Sequence, residues 1–114
     1  MEMSPEEFEE LVSDGLDALP EEMLAGLDNV VFMIEDRPAD GADLLGVYEG
    51  FSVVDRSTYG FGEMPDRITL FRENLLEYCA THEELVDEIH ITLVHEIAHY
   101  YGIEEDRLHE LGWG

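Results

Sequence analysis

The sequence predicts an α+β fold, and three observations carry the prediction. Helical apolar periodicity opens the chain. It returns over residues 82–101 without a single Pro or Gly. Between these stretches lie short β-branched or apolar runs bounded by Gly, Pro, Asn and Asp. A chain of 114 residues suits one domain with one core. Residues 1–114 are therefore expected to fold as a single unit: an N-terminal helix and a second, long helix packed on a small twisted mixed sheet of about three to five strands.

The elements follow in order. Ser4, Pro5 and Glu7 read as an N-cap, a Pro at the first helical position and a capping-box Glu. Phe8, Leu11, Val12, Leu16 and Leu19 then keep helical spacing to about residue 19, with Gly15 on the inner face where another backbone can approach. Pro20 ends this helix and opens a short one over Glu21 to Ala25. Val30 to Glu35, bounded by Asn29 and Arg37-Pro38, reads as a buried strand. Pro38 to Asp43 is a loop by composition. Leu44 to Tyr48 and Phe51 to Val54 read as a hairpin joined through Glu49-Gly50. The run from Tyr59 to Pro65 is a glycine–aromatic loop without phosphate-binding spacing. Ile68 to Phe71 is expected to be a strand and Asn74 to Cys79 a short helix.

The long helix has clear punctuation. Thr81 with Glu84 is a capping-box pair, and Glu83, Glu84, Asp87 and Glu88 suit the positive end of the helix dipole. Gly102 marks the stop, where a left-handed residue is needed. At 1.5 Å per residue, the uninterrupted stretch spans about 30 Å. Val86, Ile89, Leu93, Ile97 and Tyr100 make an apolar stripe roughly opposite His95 and His99, whose face continues through Thr92 and Glu88.

Charge narrows the function classes. The chain holds 29 Asp and Glu against 5 Lys and Arg, a net −24, with an ordinary 45% of hydrophobic residues. A field of that sign repels phosphate backbones and anionic membranes, so neither nucleic acid nor membrane is an expected partner. It favours basic peptides and divalent cations. No run approaches the roughly 20 apolar residues of a membrane span. The acidic opening lacks the basic and apolar regions of a signal peptide, which points to the cytoplasm. Cys79 is the only cysteine and reads as a small buried hydrophobe. The oligomeric state has no signature in the sequence.

The chemistry resides in His95-Glu96-x-x-His99. Histidines at i and i+4 lie about 40° apart around a helix, so both imidazoles point the same way, as two ligands of one tetrahedral zinc must. Glu96 stands beside them, placed to take a proton from an activated water. His82 and His90 read as structural, and Glu104 and Glu110 as solvated.

The run HEIAHYYGIEEDRLHELGW resembles the zincin-like metallopeptidases with an HExxHxxG motif, and it is most similar to their small bacterial, minimal form. The likeness extends upstream through LLGVYEG and YGFGEMPDRITLFR to Tyr78-Cys79. It implies that His95 and His99 ligate zinc, that Glu96 is the general base, and that Gly102 is the turn glycine. The third ligand of metzincins stands three residues after this Gly. Here that position is Glu105, with Asp106 the second choice and His109 the third. Every Met lies at or before Met64 and a dozen residues follow Gly102, so a metzincin methionine turn and lower cleft wall are not expected. The resemblance further implies an extended substrate laid along the sheet edge near residues 59 to 70. The function so implied is zinc-dependent hydrolysis of peptide bonds. The alternative is a zinc-stabilised module that binds a protein partner without cutting it. A hydrolase acting on RNA is disfavoured by charge.

Overall fold

The computed structural model describes residues 1–50 and 65–112, the side chain of Glu105 excepted. The expected strand over Phe51 to Val54 and the glycine–aromatic loop up to Met64 lie outside these residues.

Helix α1 (Pro5–Asp17) starts as its sequence requires: the Ser4 hydroxyl accepts from the Glu7 N–H at 3.2 Å, with Pro at the first turn. It buries Phe8 and Val12, and a turn closes it near Leu19. Helix α2 (Glu21–Ala25) buries Met23. Strands β1 (Val30–Glu35), β2 (Gly46–Glu49) and β3 (Asp66–Phe71) form one mixed sheet in the order β1-β3-β2. β1 pairs parallel with β3, Val30 facing Asp66, and β2 pairs antiparallel with it, Gly46 facing Leu70. Helices α3 (Arg72–Tyr78), α4 (His82–Tyr101) and α5 (Glu105–Leu111) follow. The fold is α+β, as expected.

Strand order departs from the sequence reading in two ways. β1 is not a buried strand but an edge, with Val31 42% exposed. The central strand is β3, where Ile68, Thr69, Leu70 and Phe71 are all buried. Both edges of β3 are therefore taken, so it cannot be the open substrate platform expected near residues 59 to 70. The unpaired outer edges among the described residues belong to β1 and β2.

The core forms where α4 meets this sheet on one side and α1 on the other. Gly15 faces α4, where an added Cβ would lie 3.3 Å from Leu93 Cδ1 and 3.4 Å from Ile89 Cγ2. The close approach is to side chains, not to another backbone. Asn74, buried at the start of α3, donates its amide to the carbonyls of Ala42 (3.1 Å) and Leu44 (2.7 Å). It thereby ties the loop between β1 and β2 to the start of α3. Arg37 pairs with Glu73 and Glu77, Arg72 with Asp36, Arg67 with Glu49 and Arg107 with Glu110. Every described arginine is thus committed to a carboxylate. No described helix is long and apolar enough to cross a membrane.

Candidate metal centre

Helix α4 is fixed at both ends by residues legible in its sequence. The Thr81 hydroxyl accepts from the Glu84 N–H (3.1 Å), while the Glu84 carboxylate reaches back to the Ala80 N–H (2.8 Å). At the other end Gly102 adopts φ 69°. Its N–H bonds to the His99 carbonyl and that of Ile103 to the Ala98 carbonyl, a Schellman closure. Two tyrosines hold the same end: Tyr101 donates to the Met23 carbonyl at 2.6 Å, and Tyr100 accepts from the Asp28 N–H at 3.1 Å. Burial raises the Tyr101 phenol above its ordinary pKa, with the neighbouring Tyr100 adding to the shift. Gly26 makes this anchoring possible, since a Cβ there would sit 2.6 Å from the Tyr101 oxygen.

The buried arc of α4 is wider than the expected stripe. Ile89, Leu93 and Ile97 are buried as expected, but Val86 is 43% exposed. Thr92, read from the sequence as part of the histidine face, is buried instead, and so is Glu96 beside the histidines. The cause is β2. Gly46 lies so close over Thr92 that an added Cβ would fall 2.7 Å from Thr92 Cγ2. The Tyr48 ring meets Tyr100 edge-on, centroids 6.1 Å apart. Thr92, Glu96 and Tyr100 form one i, i+4, i+8 row. β2 runs along it and covers Glu96, which is only 6% exposed. The Tyr48 hydroxyl itself donates to the buried Asp66 carboxylate at 2.6 Å.

Beside this covered row stand the two exposed histidines. The His95 and His99 ring centroids are 4.7 Å apart, with planes at 71°. His99 Nδ1 lies 2.9 Å from Glu96 Oε1. An Nδ1–H donated to that carboxylate leaves the Nε2 lone pair for a metal. One ligand atom from each of His95, Glu96 and His99 lies within 4.8 Å of the others, the one such group among the described residues. Both rings are exposed, so χ rotation can bring their nitrogens to the roughly 2.0–2.1 Å of Zn–N bonds. Two imidazoles with an adjoining carboxylate are a donor set suited to Zn²⁺.

A concavity of about 440 Å³ adjoins the histidines, lined by His95, His99, Gly102, Ile103, Glu104 and Leu108. Buried Leu108 holds α5 against α4 and so forms its far wall. Of the sequence candidates for a third ligand, Glu105 opens α5, while Asp106 and His109 are exposed on that helix and outside the three-residue cluster. Glu104, set aside from the sequence as solvated, lines the same concavity as both histidines. The signal that locates it is the Schellman turn, which reverses the chain just before this residue. His82 and His90 are exposed and take no part. Cys79 is buried, and burial, with the charges of Glu88 and Glu84, pushes its thiol up in pKa.

Residues 27–113 match the family model of the zincin-like metallopeptidases. Among solved structures, a conserved hypothetical protein from T. thermophilus is similar in fold, with a TM-score of 0.60 and 24% identity over 87% of this chain and 94% of that one. No functionally curated protein matches the sequence.

Proposed function

The chain belongs to the zincin-like metallopeptidase family, and from that membership we propose that it hydrolyses peptide bonds with one zinc ion held by His95 and His99. The observation that carries the reading is the convergence of His95, Glu96 and His99, with Glu96 buried and hydrogen-bonded to His99. A third ligand would come from α5, with Glu105 first, then Asp106, then His109. Bound zinc would supply Lewis acidity toward the scissile carbonyl and make a water acidic enough to deprotonate near neutral pH.

The protein's own residues do the rest. Glu96 keeps Oε1 on His99, and its other oxygen takes the water's proton and later hands it to the departing amine. The cover of β2 shields that carboxylate from bulk water, which strengthens its interactions with nearby charge. The hydrogen bond from His99 Nδ1 fixes the ring tautomer. The outer edge of β2, beside α4, can align an extended peptide by strand addition. The net charge of −24 favours basic substrates.

The exposure of both histidines also suits a zinc-stabilised module that binds without cutting. Glu96→Gln separates the two readings. The peptidase reading expects a loss of at least about a hundredfold in cleavage of a basic peptide library, with zinc content unchanged by mass spectrometry. Wild-type protein that carries stoichiometric zinc and cleaves nothing would leave the binding module in its place.

A further inference from the structure

The other margin of the sheet has features that the metal centre does not use. β1 is an edge strand, and among the described residues its outer edge bonds to no backbone. Val30 to Ile34 are five apolar residues in a row, without the Pro, Lys or bulge that commonly blunts an exposed edge. Phe32 and Ile34 of β1, with Asp36 just past its end, form one wall of a groove of about 410 Å³; Val12, Leu16 and Glu9 of α1 form the other. The groove lining is more apolar than polar, and the chain around it is anionic. Arg72 also lines the groove, and residues 1–36, which supply the rest of its lining, contain twelve Asp and Glu and no Lys or Arg. Asp36 is answered by Arg72 at 3.0 Å, whereas no described cation pairs with Glu9 or Glu35.

We propose that β1 and this groove form a docking site, separate from the metal centre, for an extended basic segment of a partner protein that adds to the sheet as a strand. Alternate side chains of an added strand would drop onto Val12, Leu16, Phe32 and Ile34, so every second residue of the partner is apolar. The residues between them face solvent among the carboxylates, so they are Lys or Arg. A second copy of this chain fits poorly, because pairing two β1 edges would bring together two molecules of net −24. The site is two strands away from β2, a separation of about 10 Å across the sheet. Its occupancy therefore does not depend on zinc.

Fluorescence anisotropy with a labelled peptide of alternating valine and lysine, about as long as β1, tests this on the full chain. Expected are saturable binding that is equal with and without added zinc, and roughly tenfold weaker binding to Val31→Lys and to Glu35→Lys, both on the face that meets the peptide's lysines. A version of the peptide N-methylated at alternate backbone nitrogens should bind at least about tenfold more weakly, because it cannot complete the ladder. Equal binding of the N-methylated peptide would reduce the effect to charge adsorption and overturn the proposal. So would a requirement for zinc, an unchanged Val31→Lys protein, or a Val31-dependent dimer that excludes the peptide. None of these outcomes bears on the peptidase reading, which turns on Glu96.

Discussion

Replacing Gly46 with Ala should loosen the cover over Glu96, and the structure sets the size of the effect. The new Cβ would lie 2.7 Å from Thr92 Cγ2, 3.0 Å from the Thr69 carbonyl oxygen and 3.2 Å from Leu70 Cδ2. Carbon atoms rest about 3.5–4.0 Å apart, so the first contact is short by nearly an ångström. Thr69 cannot retreat, since β3 is paired on both sides. Overpacking of this kind costs about 1–3 kcal/mol. For a chain of this length each kcal/mol lowers the melting temperature by about 4 °C. Thr92→Ser removes the clashing methyl and costs about 1 kcal/mol by itself. In the Gly46→Ala background it should cost little or nothing, a coupling of about 1 kcal/mol. Urea unfolding followed by far-UV circular dichroism on the four proteins measures that coupling. Additivity within about 0.3 kcal/mol, or a Gly46→Ala protein within about 0.5 kcal/mol of the parent, would refute the reasoning.

Three further outcomes are expected. Zinc at a hundred times its Kd should raise stability by about 2.7 kcal/mol in a thermal melt, and His95→Ala or His99→Ala should abolish the shift. Asn74→Ala should cost about 2 kcal/mol in the same urea assay, because the carbonyls of Ala42 and Leu44 lose their buried donor. Burial raises the Cys79 thiol, so above the unfolded value of about 8.5 the folded chain holds a proton that the unfolded chain has lost. Stability should therefore fall as pH rises through that value, with Tyr101 adding to the decline from about pH 10 upward. Urea midpoints across this window should flatten in Cys79→Ala below pH 10; an unchanged slope would remove the thiol as its cause.

Local chemistry was the part of this fold that the sequence made plain. Ser4, Thr81 and Gly102 act where their side chains or left-handed backbone are needed, and each satisfies groups within a few residues of itself. α2 and the existence of the three described strands were legible from equally local signals. What sequence could not supply was partnership at a distance. Val30 to Glu35 reads as a buried strand, because five apolar residues look alike at a sheet's centre and at its edge. Only the pairing of residues 30 and 66 puts β3 in the middle. Periodicity places Glu96 beside the histidines but does not say that a strand far upstream in the chain covers it. The two histidines were legible because helical geometry alone brings them together. Glu104 was not, because its place beside them depends on the turn of the chain after Gly102.

The sheet's connectivity also sets an order of assembly. α4 needs only its own hydrogen bonds and winds within microseconds, so the histidines meet early. β2 joins β3 across 18 to 24 residues and β1 joins it across 36, closures that pay their entropy before the contacts form. During refolding, a probe on the two imidazoles should therefore report ahead of one on the Glu96 carboxylate, which stays wet until β2 is seated.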